Sequence, residues 1–164
     1  MKRLLTHLFA PSSASVYPLA SLERIAAAVA AGEARHLGEI RFAVEASLTA
    51  REVLAGRDAR DRAVDVFSQL RVWDTQANNG VLIYLLLADH RIEIVADRGL
   101  DDCVSAEQWR GVCQLMEERL RAGEAEEAAV AAINAVSDLL AQHFPRNAGT
   151  ADRNELPDMP QLLR

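Results

Sequence analysis

The stretch that decides the fold lies at residues 78–102 and reads NNGVLIYLLLADHRIEIVADRGLDD. Val81–Leu87 is continuously apolar, which is typical of a strand covered on both faces of a sheet. A short polar turn follows, and Ile92–Ala96 predicts a second strand that returns antiparallel to the first. Because a hairpin brings its open ends together, we expect the Asn-Asn-Gly entry to lie beside the Asp97–Asp102 exit.

Hydrophobic periodicity predicts the elements around this hairpin. Apolar residues at helical spacing predict four helices, over residues 21–35, 58–73, 105–123 and 124–144. The first of these is expected to be capped by Ser21, and Ser105–Gln108 matches a capping box. Residues 49–57 are ambiguous between a helical turn and a loop, and residues 1–10 predict a short amphipathic helix.

A further strand is predicted at residues 39–45, where polar and apolar side chains alternate. The apolar side carries Ile40, Phe42 and Val44. The other side carries Glu39, Arg41 and Glu45, which either pair with Arg91 and Glu93 or form a solvated face.

The predicted order of elements is α-β-α-β-β-α-α, which indicates an α/β fold. A strand–helix–strand unit nearly always makes a right-handed crossover between parallel strands. We therefore expect a three-layer sandwich, with a small mixed sheet and helices on both faces. Its parts are an N-terminal helix and linker at residues 1–19, the α/β domain at 20–145 and an extended C-terminal tail at 146–164.

Composition narrows the class of protein. The chain has 164 residues and a formal net charge of -6, with no basic stripe, so nucleic acid is not an expected partner. Cys103 and Cys113 are too far apart on a helix for a disulfide and lack the partners of a zinc site, so reduced thiols are expected. The longest apolar run, Val81–Ala88, is far shorter than the ~20 residues that span a bilayer. We expect a cytoplasmic protein with no direct membrane insertion.

Topology places a set of oxygen-bearing side chains at one end of the sheet: Glu39, Asp74, Asn78, Asn79, Asp97, Asp101 and Asp102. Carboxylate and amide oxygens suit a hard cation, Ca²⁺ or Mg²⁺, better than zinc or copper. The alternative is ordinary turn chemistry, since Asn and Asp are common turn residues. Gly99 in this region is expected to supply a positive φ. Trp73 and Trp109 are interpreted as core anchors.

The order of several short motifs is similar to that of the TPM domain, a family that includes a thylakoid-lumen phosphatase-like protein, a photosystem II repair factor and a receptor modulator. The resemblance covers about residues 20–145. It rests on the helix before Trp73, the two closing helices and these segments: Gly38-Glu39-Ile40, Asn78-Asn79-Gly80-Val81-Leu82, Arg91-Ile92-Glu93-Ile94 and Gly99-Leu100. It implies an α/β sandwich. It also implies a metal site at Asp74, Asn78, Asn79, Asp97, Asp101 and Asp102, since some members bind calcium through acidic loops and some are acid phosphatases.

Two functions from different classes follow. The first is an accessory module that binds a divalent cation and a protein partner, in a membrane or envelope system. The apolar tail Leu156–Leu163 supports it, because spaced leucines can dock into a groove in cis or on a partner. The alternative is a metal-dependent acid phosphatase acting on phosphate monoesters, in which Arg98 or Arg71 would stabilise developing charge. The four dispersed histidines suggest no catalytic arrangement, and no nucleophile stands out, so the catalytic residues are unassigned.

Overall fold

The computed structural model describes residues 1–151 and 153–163 as a four-stranded sheet with helices on both faces. The helices and strands run as follows: α1 (Lys2–Leu8), α2 (Ser13–Val16), α3 (Leu19–Glu33), β1 (Glu39–Glu45), α4 (Ala50–Leu54), α5 (Ala59–Gln69), β2 (Gly80–Leu86), β3 (Arg91–Ala96), a 3-10 turn (Arg98–Leu100), α6 (Ala106–Arg121), α7 (Ala125–His143) and β4 (Gln161–Leu163).

The predicted α/β fold and its strand directions are confirmed. The sheet has the order β3-β2-β1-β4, with β1 parallel to β2 and β2 antiparallel to β3. A fourth strand was not predicted: β4 pairs in parallel with the second half of β1, joining Ala43–Glu45 to Gln161–Leu163. The C-terminal tail therefore forms one edge of the sheet.

Each face of the sheet builds its own hydrophobic core, because successive side chains of a strand point to opposite faces. One core packs the odd positions of β2 against α3, α6 and α7, through buried side chains such as Ile25, Met116 and Ile133. The other packs the even positions of β2 against α5, and it also contains Leu156 of the tail. The tail thus contributes to the core as well as to the sheet edge.

Helix ends differ from the predicted bounds for local reasons. α3 starts earlier than the predicted Ser21, with Pro18 as its N-cap in an extended conformation. α5 ends at Gln69 and not at Trp73, because Arg71 turns into the left-handed region with a φ of 55°. Residues 49–57, which the sequence left ambiguous, contain the short helix α4. A capping box formed by Thr49 and Glu52 starts this helix. The capping box predicted at Ser105 is confirmed at the start of α6.

The prediction for the polar side of β1 was wrong. Glu39, Arg41 and Glu45 are all buried, and their hydrogen-bond partners lie in the tail, in α5 and in β2. Arg91 and Glu93 lie two strands away on the sheet edge and contact each other at 3.4 Å. In the described part of the chain, no helix is both long and apolar enough to cross a membrane.

Candidate functional site

The loops before β2 and after β3 lie side by side at one end of the sheet. The main-chain N–H of Gly99 donates to the main-chain oxygen of Asn78 at 2.9 Å, and the N–H of Asp97 donates to the oxygen of Gly80 at 2.9 Å. A Cβ at Gly99 would lie 2.4 Å from the Asn78 oxygen, so this glycine permits a close approach of two backbones. The predicted positive φ at Gly99 was wrong, since its φ lies outside that range.

Asn79 makes hydrogen bonds through its main chain and its side chain, yet its side-chain oxygen has no partner among the described residues. The residue is 1% exposed, its N–H donates to Thr75 Oγ1 at 3.1 Å and its Nδ2 donates to the Leu37 oxygen at 3.1 Å. Its Oδ1 is buried and has no hydrogen-bond partner among the described residues. Asn78 adopts the left-handed conformation, with a φ of 50°, which lets the loop turn toward Gly99.

In the neighbouring loop, Asp97 has a second buried oxygen without a hydrogen-bond partner among the described residues. Its Oδ1 accepts a hydrogen bond from the N–H of Arg98 at 2.8 Å and so caps the 3-10 turn. Its Oδ2 is buried and lacks a hydrogen-bond partner in the described structure. A buried carboxylate oxygen without a partner is rare, because it loses its hydration without compensation.

The remaining predicted ligands are placed differently. Asp74 is exposed and forms an ion pair with Arg71 at 2.6 Å. Asp101 and Asp102 are exposed on the turn after β3. The structure therefore joins Asn78 and the Asp97 loop, while Asp74 is engaged elsewhere. Among the described residues, no three or more His, Cys, Asp or Glu side chains form a group that could hold a metal ion.

Trp73, next to this loop, is not the predicted core anchor. Its side chain is 47% exposed, and the Arg71 guanidinium lies over its ring, 5.6 Å from the centroid. The early end of α5 causes this, since Trp73 falls beyond the helical face that packs on the sheet. Trp109, in contrast, is partly buried and packs against the larger core.

A cavity of about 380 Å³ adjoins the same end of the sheet. It lies between Gln76 and Ala77 of the loop and the tail residues Arg146, Thr150 and Glu155. The Glu155 carboxylate accepts a hydrogen bond from the Gln76 N–H at 2.9 Å, which ties the tail to the loop.

Two buried side chains of β1 hold the tail, a partner that the sequence analysis did not predict for them. The Glu39 carboxylate accepts hydrogen bonds from the N–H groups of Glu155 and Leu156, both at 3.1 Å. Arg41 Nη1 donates to the carbonyls of Pro157 and Met159. Burial raises the pKa of Glu39, and the two hydrogen bonds from N–H groups oppose this effect only in part. Burial lowers the pKa of Arg41. Charged residues at alternate positions of a strand, in a sheet predicted to have helices on both faces, could have signalled such partners.

The opposite end of the sheet carries polar networks that are satisfied internally. Glu45 accepts two hydrogen bonds from Arg62, each at 2.8 Å, and a third from the Tyr84 hydroxyl. Asp89 accepts hydrogen bonds from Arg3 and lies 2.9 Å from His7 Nε2, while His7 Nδ1 accepts from the Leu48 N–H. Both ring nitrogens of His7 are therefore engaged, which leaves neither available as a general base.

Comparisons with known proteins place the chain in context. A family model described as the TPM domain matches residues 15–139. The NMR structure of the BA42 protein from the psychrophilic bacterium Bizionia argentinensis is similar, with 28% identity and a TM-score of 0.75, over 92% of this chain and 94% of that one. The N-terminal domain of a P. gingivalis protein shares the fold, with 19% identity and a TM-score of 0.63, over 81% and 82% of the two chains. No curated protein sequence matches.

Proposed function

The chain belongs to the TPM domain family, and on that premise we propose that it is a binding module that holds a hard divalent cation between the loops at residues 74–79 and 97–102. The cation is Ca²⁺ or Mg²⁺, and its candidate ligands are the oxygens of Asn78, Asn79, Asp97, Asp101 and Asp102. The module acts as an accessory to a protein partner, with no catalytic step of its own.

One observation carries this proposal: two adjacent loops each hold a buried oxygen without a partner, Asn79 Oδ1 and Asp97 Oδ2. A buried acceptor that makes no hydrogen bond costs about 1–3 kcal/mol, and more when it is charged. A bound cation removes that cost where it is largest, at the carboxylate. The donor atoms are all oxygens, as Ca²⁺ and Mg²⁺ prefer.

The same residues indicate weak binding. Asp97 is partly covered, whereas Asp101 and Asp102 are exposed and Asp74 is already paired with Arg71. Affinity for Ca²⁺ rises with the number of charged ligands and the rigidity of the site. With one covered carboxylate, two exposed ones and neutral oxygens, we expect a dissociation constant on the order of 10⁻⁴–10⁻³ M, as in weak calcium modules.

A metal-dependent phosphatase has less support. Hydrolysis of a phosphate monoester needs positive groups that stabilise the developing charge beside the metal. Arg71 is committed to Asp74 and Trp73, and Arg98 is exposed at the start of the 3-10 turn. Neither provides a preorganised, covered positive group, so the geometry favours binding over catalysis.

Calorimetric titration of metal-stripped protein with Ca²⁺ and then Mg²⁺ tests the proposal. We expect saturable binding that is lost in the Asp97→Asn/Asp101→Asn variant. The matched control is Asp61→Asn/Glu118→Gln, which removes the same charge from exposed helical positions and retains binding. Absence of binding to the wild-type protein at millimolar cation, or equal binding by both variants, contradicts the proposal. Phosphate release from a generic monoester in the same samples would favour the phosphatase.

A further inference from the structure

Helix α1 turns its polar side toward the protein and its apolar side away from it. Arg3 donates hydrogen bonds to the Asp89 carboxylate and to the Arg57 carbonyl. His7 Nε2 lies 2.9 Å from Asp89, and His7 Nδ1 accepts from the Leu48 N–H. In the described part of the chain, neither hydrophobic core contains a side chain of α1. The helix is therefore attached mainly through polar contacts, and its apolar side chains are not used within the protein.

The outward side of α1 carries an apolar stripe formed by Leu5, Leu8 and Phe9. Their exposed fractions are 53%, 62% and 82%. Residues three and four positions apart lie on one face of a helix, so these side chains adjoin each other. Single exposed apolar residues are ordinary on a protein surface, whereas a contiguous group of them marks an interaction site. Because the polar side of α1 is already bound to the protein, only a second surface can cover the stripe.

A groove adjoins the stripe on the same surface. Its first part is a cavity of about 580 Å³ between α1, α2 and the turn after β2, with mainly apolar walls that include Phe9, Val16 and Leu87. A second cavity, of about 550 Å³, shares Leu87 and His90 with the first and continues to Leu120 of α6. The protein thus presents a protruding apolar stripe and an apolar depression side by side.

This arrangement is complementary to itself. In a two-fold dimer the same patch of both copies forms the interface. With the two-fold axis between stripe and groove, the stripe of each copy enters the groove of the other. A single copy therefore supplies both halves of the contact.

The area of the patch is that of a small specific interface. An aromatic side chain buries about 150–250 Å², so covering Phe9, which is 82% exposed, removes roughly 120–200 Å² from water. Leu5, Leu8 and the walls of the groove bring each copy to roughly 500 Å², which is half of the ~1,000 Å² that a specific interface needs. An interface of this size predicts a weak dimer.

We propose that the stripe of Leu5, Leu8 and Phe9 and the adjoining groove form the contact surface of a two-fold dimer of this chain. Its dissociation constant is on the order of 10⁻⁵–10⁻⁴ M, as suits a small interface. Each copy carries a formal net charge of -6, which opposes association, so added salt strengthens the dimer by screening. The surface lies at the opposite end of the sheet from the loops at residues 74–79 and 97–102, so dimer formation and cation binding are separate properties.

Sedimentation velocity of the full chain, from about 5 µM to 1 mM and with a metal chelator, tests the proposal. We expect the average mass of the wild-type protein to rise from monomer toward dimer, and to rise further at high salt. Leu8→Glu/Phe9→Glu should raise the dissociation constant at least tenfold. The matched control is Val64→Glu/Met159→Glu, which adds the same charge at apolar positions that are each 45% exposed and outside the groove. It should dimerise like the wild-type protein.

Nuclear magnetic resonance locates the contact. Amide signals of residues 87–90 should shift with protein concentration in the wild-type chain and stay fixed in Leu8→Glu/Phe9→Glu. Concentration-dependent shifts that are confined to other surfaces would overturn the proposal.

The proposal also fails if the wild-type chain stays monomeric up to 1 mM at low and at high salt, or if both double variants weaken the dimer equally. A monomer that sediments with phosphatidylcholine vesicles would overturn the dimer and assign the stripe to a lipid surface. The Asp97→Asn/Asp101→Asn variant should dimerise like the wild-type protein, so failure of the cation proposal and failure of the dimer proposal are separately visible.

Discussion

The main-chain N–H of Gly99 lies 2.9 Å from the main-chain oxygen of Asn78 and donates a hydrogen bond to it. This bond joins the loop before β2 to the turn after β3, the two segments that carry the candidate cation ligands. The contact needs a residue without a side chain, because a Cβ at position 99 would also lie 2.6 Å from the Ala77 oxygen.

Gly99→Ala is therefore expected to separate the two loops. Overpacking of this kind typically costs about 1–3 kcal/mol of unfolding free energy, and cation binding should weaken as well. Urea unfolding measures the first effect and calorimetry the second. Gly111→Ala in α6 is the control, since a Cβ there meets nothing within 4 Å, and it should stabilise the protein by about 0.5–1 kcal/mol. Equal effects of the two substitutions would contradict the assigned role of Gly99.

Replacing Leu156 tests how the tail is anchored. Leu156→Ala removes the tail's buried side chain from the smaller core, and a buried Leu→Ala change typically costs about 2–5 kcal/mol. Since the tail pairs with the sheet only at its edge, we expect loss of protection mainly in the tail and little global unfolding. Amide hydrogen exchange of residues 155–163 should accelerate by about tenfold or more, while exchange in β2 stays unchanged. Met159→Ala, at a position that is 45% exposed, should leave protection intact.

Glu45 and Arg62 form a buried pair whose members depend on each other. Their side chains are 3% and 13% exposed. Arg62→Met leaves a buried carboxylate without its counter-charge and should cost about 3–5 kcal/mol. The double variant Glu45→Gln/Arg62→Met should recover part of this loss, as a double-mutant cycle in urea will show. Arg119→Met breaks an exposed pair with Glu124 and should cost at most about 1 kcal/mol.

The pH dependence of stability should report His36. This residue is fully buried, and its Nδ1 lies 3.0 Å from the Gly38 carbonyl, so Nδ1 carries the hydrogen of a neutral ring. Burial lowers its pKa to about 4 from 6.5. Below pH 6.5 the unfolded state gains a proton that the folded state does not bind, so stability falls as the pH drops from 6.5 toward 4, by up to about 3 kcal/mol.

Urea unfolding of the wild-type protein and of His36→Gln between pH 7.5 and pH 4 isolates this effect. The raised pKa of Glu39 acts in the opposite direction, but it contributes equally to both proteins and cancels in the difference. The difference in stability between the two proteins should shrink as the pH falls. A constant difference for His36→Gln would show that His36 has the same pKa in the folded and unfolded states, which contradicts the lowered pKa.

Much of the fold was predictable because its signals are local. The continuous apolar run of β2, the alternating pattern of β1 and the short turn before β3 predict a parallel pair and a hairpin, and both are present. The same reasoning placed Asn78 beside the Asp97–Asp102 turn. It did not place Asp74 in an ion pair with Arg71, because that contact follows from the left-handed turn that ends α5.

The sequence by itself determined the α/β class, the strand directions and the proximity of the loops before β2 and after β3, since these depend on patterns within a few tens of residues. Only the tertiary structure decided which partners the buried charges take. Glu39 and Arg41 hydrogen-bond to main-chain groups of a tail more than a hundred residues away, and Glu45 to Arg62 of α5. The strength of a hydrogen bond or ion pair does not depend on how far apart its two residues lie in the sequence. A buried charged side chain needs some hydrogen-bonding or oppositely charged partner, and the tertiary packing decides which residue that partner is.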